Sequence, residues 1–122
     1  MDATEKTILI CGGRGFDDWP LFKKVIGEHV GRFRGKNSNI LIIQGGAKGA
    51  DFLARIYANC VGFSHKEFPA DWKKYGKAAG SIRNQQMLDE GRPDLVIAFP
   101  GGNGTADMVR RAKKAGVMVV EV

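Results

Sequence analysis

Long apolar runs are missing from this sequence. None of its 122 residues belongs to a stretch near the ~20 apolar residues of a membrane-crossing helix, so no membrane partner is expected. The opening Met1-Asp2-Ala3-Thr4-Glu5-Lys6 is polar and lacks the pattern of a secretory signal. Cysteine is scarce as well. Cys11, in an apolar strand, and Cys60, on an apolar helix face, read as buried thiols of a reducing compartment, and the cytoplasm is the expected location. There is no Ser/His/Asp set and no metal-ligand spacing, and His29 has no partner near it, so neither metal nor cofactor is expected.

Blocks of like charge are also absent. The formal charge is +6, but Lys23-Lys24, Lys73-Lys74 and Arg110-Arg111-Lys113-Lys114 are spread over the polar faces of predicted helices. A solvated surface accounts for them, and nucleic acid is not an expected partner. A chain of this length, 43% apolar and 26% charged, suits one globular domain spanning residues 1–122.

Glycine is what the chain has in excess: 17 residues, gathered at the boundaries between predicted elements. Thr7–Cys11 is a continuous apolar strand of the kind buried on both faces, broken by Gly12-Gly13-Arg14-Gly15-Phe16. A helix from about Pro20 carries an apolar stripe of Phe22, Val25, Ile26, Val30 and Phe33. A second apolar strand, Ile40–Ile43, ends in Gln44-Gly45-Gly46-Ala47-Lys48-Gly49-Ala50-Asp51. The helix after it runs to about Cys60 with Leu53, Ile56, Tyr57 and Cys60 inward. Ser64–Phe68 is short and polar enough for an edge strand. After Pro69-Ala70-Asp71-Trp72 and a basic segment, Ser81 is the expected N-cap of a helix from Ile82 to about Glu90, ended by Gly91-Arg92-Pro93. Strand Leu95–Phe99, the loop Pro100-Gly101-Gly102-Asn103-Gly104-Thr105, a helix from Ala106 to Ala115 and strand Val117–Val120 complete the chain.

This alternation predicts an α/β, Rossmann-like, doubly wound parallel sheet of five strands in the order 3-2-1-4-5. Its switch point lies between strands 1 and 4, where such sheets bind ligands at the carboxyl ends of their strands. Three glycine-rich loops meet there. A strand that passes through glycines into a helix N-terminus can hold an anion on backbone amides.

The spacing is not that of the common phosphate motifs. The third glycine of a dinucleotide fingerprint would fall on Asp18, and Gly45-Gly46-Ala47-Lys48-Gly49 is too short for a P-loop. Arg83 and Asn84 open a helix, where a cation opposes the dipole, so Arg83 reads either as a phosphate ligand or as a solvated side chain. Arg14 sits inside the first loop. Lys48 and Asp51 flank a helix start, and Asp51 either favours that N-terminus or pairs with Arg55. Trp72 either stacks on a base or covers the sheet edge. Asp107 is either a dipole partner or an acceptor for ribose hydroxyls. The residues reach a nucleotide-type anion site and no reaction.

Five segments then resemble one family: Gly12-Gly13-Arg14-Gly15-Phe16, Gly45–Asp51, Phe68-Pro69-Ala70-Asp71-Trp72, Ala79–Met87 and Pro100–Met108. Together they are similar to the YspA/YpsA-related branch of the SLOG superfamily, which includes Lonely Guy phosphoribohydrolases, DprA-type DNA-binding proteins and sensors of cyclic ADP-ribose-type signals. The resemblance implies a Rossmann-like fold, a nucleotide-derived ligand such as ADP-ribose, its cyclic relatives or a nucleoside phosphate, and a homo-oligomer (dimer or tetramer). It also points to a phage or prophage setting. It implies ligand contacts from Gly12, Gly13, Arg14, Phe16, Gly45, Gly46, Lys48, Asp51, Asp71, Trp72, Arg83, Asn84 and the loop Pro100, Gly101, Gly102, Asn103, Gly104 and Thr105. The Lonely Guy motif Pro-Gly-Gly-x-Gly-Thr-x-x-Glu has its glutamate where this chain has Met108, and a thioether cannot protonate a leaving base. Asp107 points about 100° away on a helix and is a poor substitute, leaving Asp51 or Asp71. The expected function is therefore binding, as sensor or sequestering protein. An N-glycosidase with a non-standard acid is the alternative, and DprA-like DNA binding a third.

Overall fold

Why the strands lack alternation is plain in the computed structural model, which describes residues 4–33 and 38–122. Five strands, β1 (Thr4–Cys11), β2 (Ser38–Gln44), β3 (Ser64–Glu67), β4 (Leu95–Ala98) and β5 (Met118–Glu121), form one sheet in the order β3-β2-β1-β4-β5. Every pairing is parallel, with Ile8 opposite Ile42 on one side and Leu95 on the other. This is the α/β Rossmann-like fold that the sequence predicts.

Successive residues of each central strand enter opposite cores. Ile8, Ile10, Ile42 and Ile97 pack with Phe22 and Ile26 of α1 (Trp19–Phe33) and Ala54 and Ala58 of α2 (Ala50–Val61). Leu9, Ile43 and Val96 pack with Met87 of α4 (Ala79–Gly91) and Met108 and Ala112 of α5 (Asn103–Lys114). Each such large side chain taken from water contributes about 1.5–3 kcal/mol, so both faces demand apolar residues. The edge strand β3 is mostly exposed, as its polar composition requires, and the other edge strand, β5, is partly buried through Val119 and Val120. Among the described residues no helix is long and apolar enough to cross a membrane.

Several boundaries and faces differ from the sequence reading. On α2 the buried stripe is Ala50, Asp51, Ala54 and Ala58; Leu53 and Tyr57 are only partly buried, and Cys60 is exposed. Small residues at four-residue spacing let the helix backbone lie close to the sheet and push the bulkier side chains to the flanks. Only Cys11 is a buried thiol. Between β3 and α4 lie the short α3 (Trp72–Tyr75) and a 3₁₀ turn, Gly76–Ala78. That turn runs directly into α4, which therefore starts at Ala79 with no side-chain cap, and Ser81 lies within its first turn. Arg83 and Asn84 consequently sit one turn in, clear of the exposed helix end. α5 starts at Asn103, so half of the last glycine loop is helical. At α1, Asp18 accepts a hydrogen bond from the amide of Leu21 and starts the helix. The side chain of Phe33 lies outside the described residues, as do residues 1–3.

Candidate functional site

At the carboxyl ends of the strands the loops are laced together by their backbones. Gly13 N–H donates to the Pro100 carbonyl (2.9 Å), and Phe99 N–H donates to the Cys11 carbonyl (2.9 Å). Ala50 N–H, at the start of α2, reaches the Gly13 carbonyl (3.3 Å). A side chain at Gly49 would place its Cβ 2.1 Å from that same oxygen, and Gly49 has φ 75°. These glycines hold loop against loop and form the floor of a crevice.

Above that floor is a cavity of about 440 Å³. One wall is the β1 loop, Cys11 to Arg14, with Ala47 and Asp51 beside it. The second is the first turn of α5, Gly102 to Thr105, with Asp107. The third is the α3–α4 excursion, with Trp72, Lys77, Ser81, Arg83 and Asn84. Gly12, Gly13, Arg14, Asp51, Trp72, Arg83, Asn84, Gly102, Asn103, Gly104 and Thr105 are thus brought together as the sequence reading grouped them.

The remaining candidates are near but turned away. The ring of Phe16 packs on Phe99 with centroids 4.9 Å apart, in the core. Asp71 accepts the amide of Lys74 and caps α3. Pro100 and Gly101 face the β1 loop, Lys48 is exposed outside the cavity, and Gly46 lies against Glu67. Gly45 lies beneath Arg83, whose Nη1 donates to the Gly45 carbonyl; a Cβ there would fall 2.2 Å from that nitrogen. Lys77, Gly80 and Ser81 also line the cavity, although the sequence reading does not count them among the ligand contacts and takes Ser81 as a helix cap. Their signal was the basic, glycine-containing segment after Trp72, which only the fold places over the cavity.

Three cations (Arg14, Lys77 and Arg83) and two acids (Asp51 and Asp107) line the space. Arg83 Nε donates to Asn84 Oδ1 (3.1 Å), and Asn84 Nδ2 donates to the Gly104 carbonyl (3.2 Å) and to Asp107 Oδ2 (3.0 Å). Asn84 is buried, so it braces Arg83 against the first turn of α5. That turn has Gly102 as its N-cap and no side-chain hydrogen bond. The amides of Asn103 to Thr105 therefore have no intrahelical partner and border the cavity, as anion-binding helix ends do. Trp72 is 51% exposed, and the Arg14 guanidinium lies 5.9 Å from its ring centroid. It flanks the cavity mouth instead of covering the sheet edge.

Burial pushes the Asp51 carboxyl above the ordinary range, against hydrogen bonds from Ala47 and Gly45 and the charge of Arg83. Asp51 forms no ion pair with Arg55 among the described residues. Burial lowers Arg83, with Asp51 opposing. Burial, then the charge of Asp51, pushes the Cys11 thiol up to about 12, so it carries no thiolate for nucleophilic work at neutral pH. For Asp107 burial raises the pKa, but hydrogen bonds from Asn84 and Arg111 outweigh it and hold the carboxyl below its usual range. Met108 is fully buried in the core. The 100° step along α5 thus turns Asp107 to the cavity and position 108 away from it.

Asp51 gives a stability prediction. A carboxyl whose pKa rises on folding holds its proton more tightly in the folded chain, so ionising it at neutral pH costs folding free energy. Below the ordinary carboxylate pKa both states are protonated and the cost vanishes. Asp51→Asn is therefore expected to stabilise the chain by about 1 kcal/mol at pH 7. The gain should shrink as pH falls through the raised pKa. Urea midpoints across that range check it; a gain independent of pH would mean that charge is not its source.

The family model for YAcAr, the YspA, cpYpsA-related SLOG family, matches residues 6–75, from β1 through α3. The chain is 32% identical over 125 residues to the Gene 61 protein of Mycobacterium phage D29, covering 94% of each. Among solved structures it is similar to the UDP-GlcNAc 2-epimerase from Methanocaldococcus jannaschii, with a TM-score of 0.48 and 15% identity. That match covers 96% of this chain and 31% of the epimerase, so the chain spans about a third of that protein's length. It is also similar to a predicted subunit of tRNA methyltransferase from the same organism, with a TM-score of 0.38 and 17% identity, over 97% of this chain and 67% of the other.

Proposed function

The chain belongs to the YspA, cpYpsA-related SLOG family, and on that footing we propose that its cavity binds a nucleotide-derived small molecule. The class is ADP-ribose, its cyclic relatives or a nucleoside phosphate, and the role is that of a sensor or sequestering protein. One observation carries the reading: the uncapped first turn of α5, the partly buried Arg83 and the exposed indole of Trp72 line a single cavity. A phosphate group fits between the α5 amides and Arg83. A base fits on Trp72, where it replaces Arg14 as the stacking partner. Asp107 and Asp51 then accept from sugar hydroxyls.

Kinship with a mycobacteriophage protein supports a phage-encoded protein acting in the host cytoplasm. We take the working form to be a homo-oligomer, a dimer or tetramer that covers exposed apolar side chains such as Tyr75 and Ile82. A second reading, cleavage of an N-glycosidic bond, is favoured by the two carboxyls in the cavity although position 108 has none.

The test is incubation of the pure protein with AMP, ADP-ribose, NAD and cyclic ADP-ribose isomers, split between thermal shift and chromatography of the small molecules. A ligand at 100 times its Kd stabilises by about 2.7 kcal/mol and is recovered intact if the protein only binds it. Release of free base would select the N-glycosidase. Neither shift nor release would reject the ligand class. Binding should also quench tryptophan emission, and Trp72→Phe should remove the quench, because Trp19 is packed against Phe22 and Tyr57. The same variant should weaken base-containing ligands by about 1–3 kcal/mol and leave inorganic phosphate unaffected. Equal weakening of both would place the base elsewhere.

A further inference from the structure

Behind α4, away from the main cavity, the end of α5 carries a second hollow of about 500 Å³ lined by Gln85, Arg110, Arg111, Lys114 and Ala115. A helix C-terminus attracts cations in any protein, so the charge alone names nothing. The arrangement adds two things. Arg111 is turned inward and fixed at both ends: its Nε donates to Asp107 Oδ2 (2.9 Å) and its Nη1 to Gln85 Oε1 (3.0 Å). Arg110 Nη2 donates to the same carboxylate, at Oδ1 (2.6 Å). One carboxylate thus serves two guanidiniums, and Lys114 adds a third positive charge with no counter-charge lining the hollow among the described residues. Among the described residues, no acceptor on that side takes the remaining guanidinium N–H groups or the Lys114 ammonium.

Asp107 also lines the main cavity, where its Oδ2 accepts from Asn84. A continuous hydrogen-bonded chain, Asn84–Asp107–Arg111–Gln85, therefore runs from one hollow to the other. We propose that the hollow behind α4 is a second anion site, for a small phosphate-type oxyanion, and that its occupancy is felt in the main cavity through Asp107. An oxyanion seated there competes with Asp107 for Arg110 and Arg111. Asp107 is left with more of its negative charge uncompensated and facing the main cavity, which disfavours an anionic ligand there. The coupling is reciprocal: an anionic ligand in the main cavity holds the arginines to Asp107 and weakens the oxyanion by the same factor. The site itself does not depend on the nucleotide reading; the consequence for ligand affinity does.

Titration of the full chain with inorganic pyrophosphate, followed by amide NMR at constant ionic strength, tests both parts. The Gln85 side-chain amide and the Ala115 backbone amide should shift saturably at millimolar pyrophosphate. In the Arg110→Gln/Lys114→Gln double variant, which keeps Arg111 on Asp107, the apparent Kd read at those amides should rise at least tenfold. No saturable shift at these amides, or an equal shift with chloride, overturns the site. The Asn84 side-chain amide should move with the same Kd as Gln85 in the wild type and stop following it in Asp107→Asn; an unchanged response in that variant overturns the coupling. Should a short oligonucleotide bind at these amides far more tightly than pyrophosphate, gaining with length and falling steeply with salt, the hollow reads a nucleic-acid backbone and the small-oxyanion assignment is wrong.

Discussion

Gly49→Ala is expected to lower the stability of the chain by about 4 kcal/mol or more, enough to unfold many domains of this size, whereas Gly62→Ala costs only about 1 kcal/mol. The two glycines have nearly the same φ, 75° and 77°. Gly62 closes α2 in the left-handed conformation, and a Cβ added to it meets no atom within 4 Å. Its replacement pays only the dihedral cost. Gly49 combines that φ with a ψ of −127°, a region nearly closed to L residues, and a Cβ there meets the Gly13 carbonyl oxygen at 2.1 Å and the Arg14 carbonyl oxygen at 2.7 Å. Both obstacles are backbone, so no rotamer change relieves them. Relief requires the N-terminus of α2 to lift from the β1 loop, which breaks the Ala50 to Gly13 hydrogen bond and disturbs the lacing under the cavity. Urea denaturation of the two variants decides the matter. Equal losses would mean that the loops slide past each other freely and that the cavity floor is not rigid.

The same contrast explains what could and could not be read from the residues. Apolar runs at Thr7–Cys11, Ile40–Ile43 and Leu95–Phe99 permitted only strands covered on both faces, and with intervening helices that fixes a parallel sheet and its crossover order. The clustering of glycine at three strand ends then marked the crevice. What each glycine does there was not legible, because it depends on which backbone lies opposite: Gly49 and Gly13 hold loop to loop, while Gly45 makes room for Arg83. Ranking side chains by hydrophobicity misjudged α2, since its contact with the sheet is made by alanines and Cys60 stays in solvent. The start of α4 was missed because the 3₁₀ turn carries the chain into the helix without a capping side chain. With that shift Arg83 leaves the helix end, and the reason to notice it changes from an opposed dipole to a guanidinium braced by Asn84 and the Gly45 carbonyl. Asp107 was seen with its alternatives open; the fold shows it shared by two arginines and an asparagine.

Arg83→Gln is expected to weaken binding of a phosphate-bearing ligand roughly ten- to a hundredfold, the worth of a charge-assisted hydrogen bond of about 1.5–3 kcal/mol. Arg14→Gln should cost only a few-fold. The difference follows from their surroundings. Arg14 is exposed at the cavity mouth, screened by water and free to leave Trp72. Arg83 is partly buried and already positioned, with Nε committed to Asn84 and Nη1 to Gly45, so its other N–H groups point at a ligand without further ordering cost. Asp51 opposes this by drawing part of the same charge: burial lowers the pKa of Arg83, and the attraction of Asp51 works against that lowering. Asp51→Asn should therefore tighten phosphate binding while Arg83→Gln loosens it. In the double variant the gain from removing Asp51 should disappear, because the charge it was competing for is gone. Calorimetric titration of the four proteins with one phosphate-bearing ligand measures that coupling directly. If Arg14→Gln proves the more damaging single change, the phosphate sits at the mouth beside Trp72, and the first turn of α5 is not its seat.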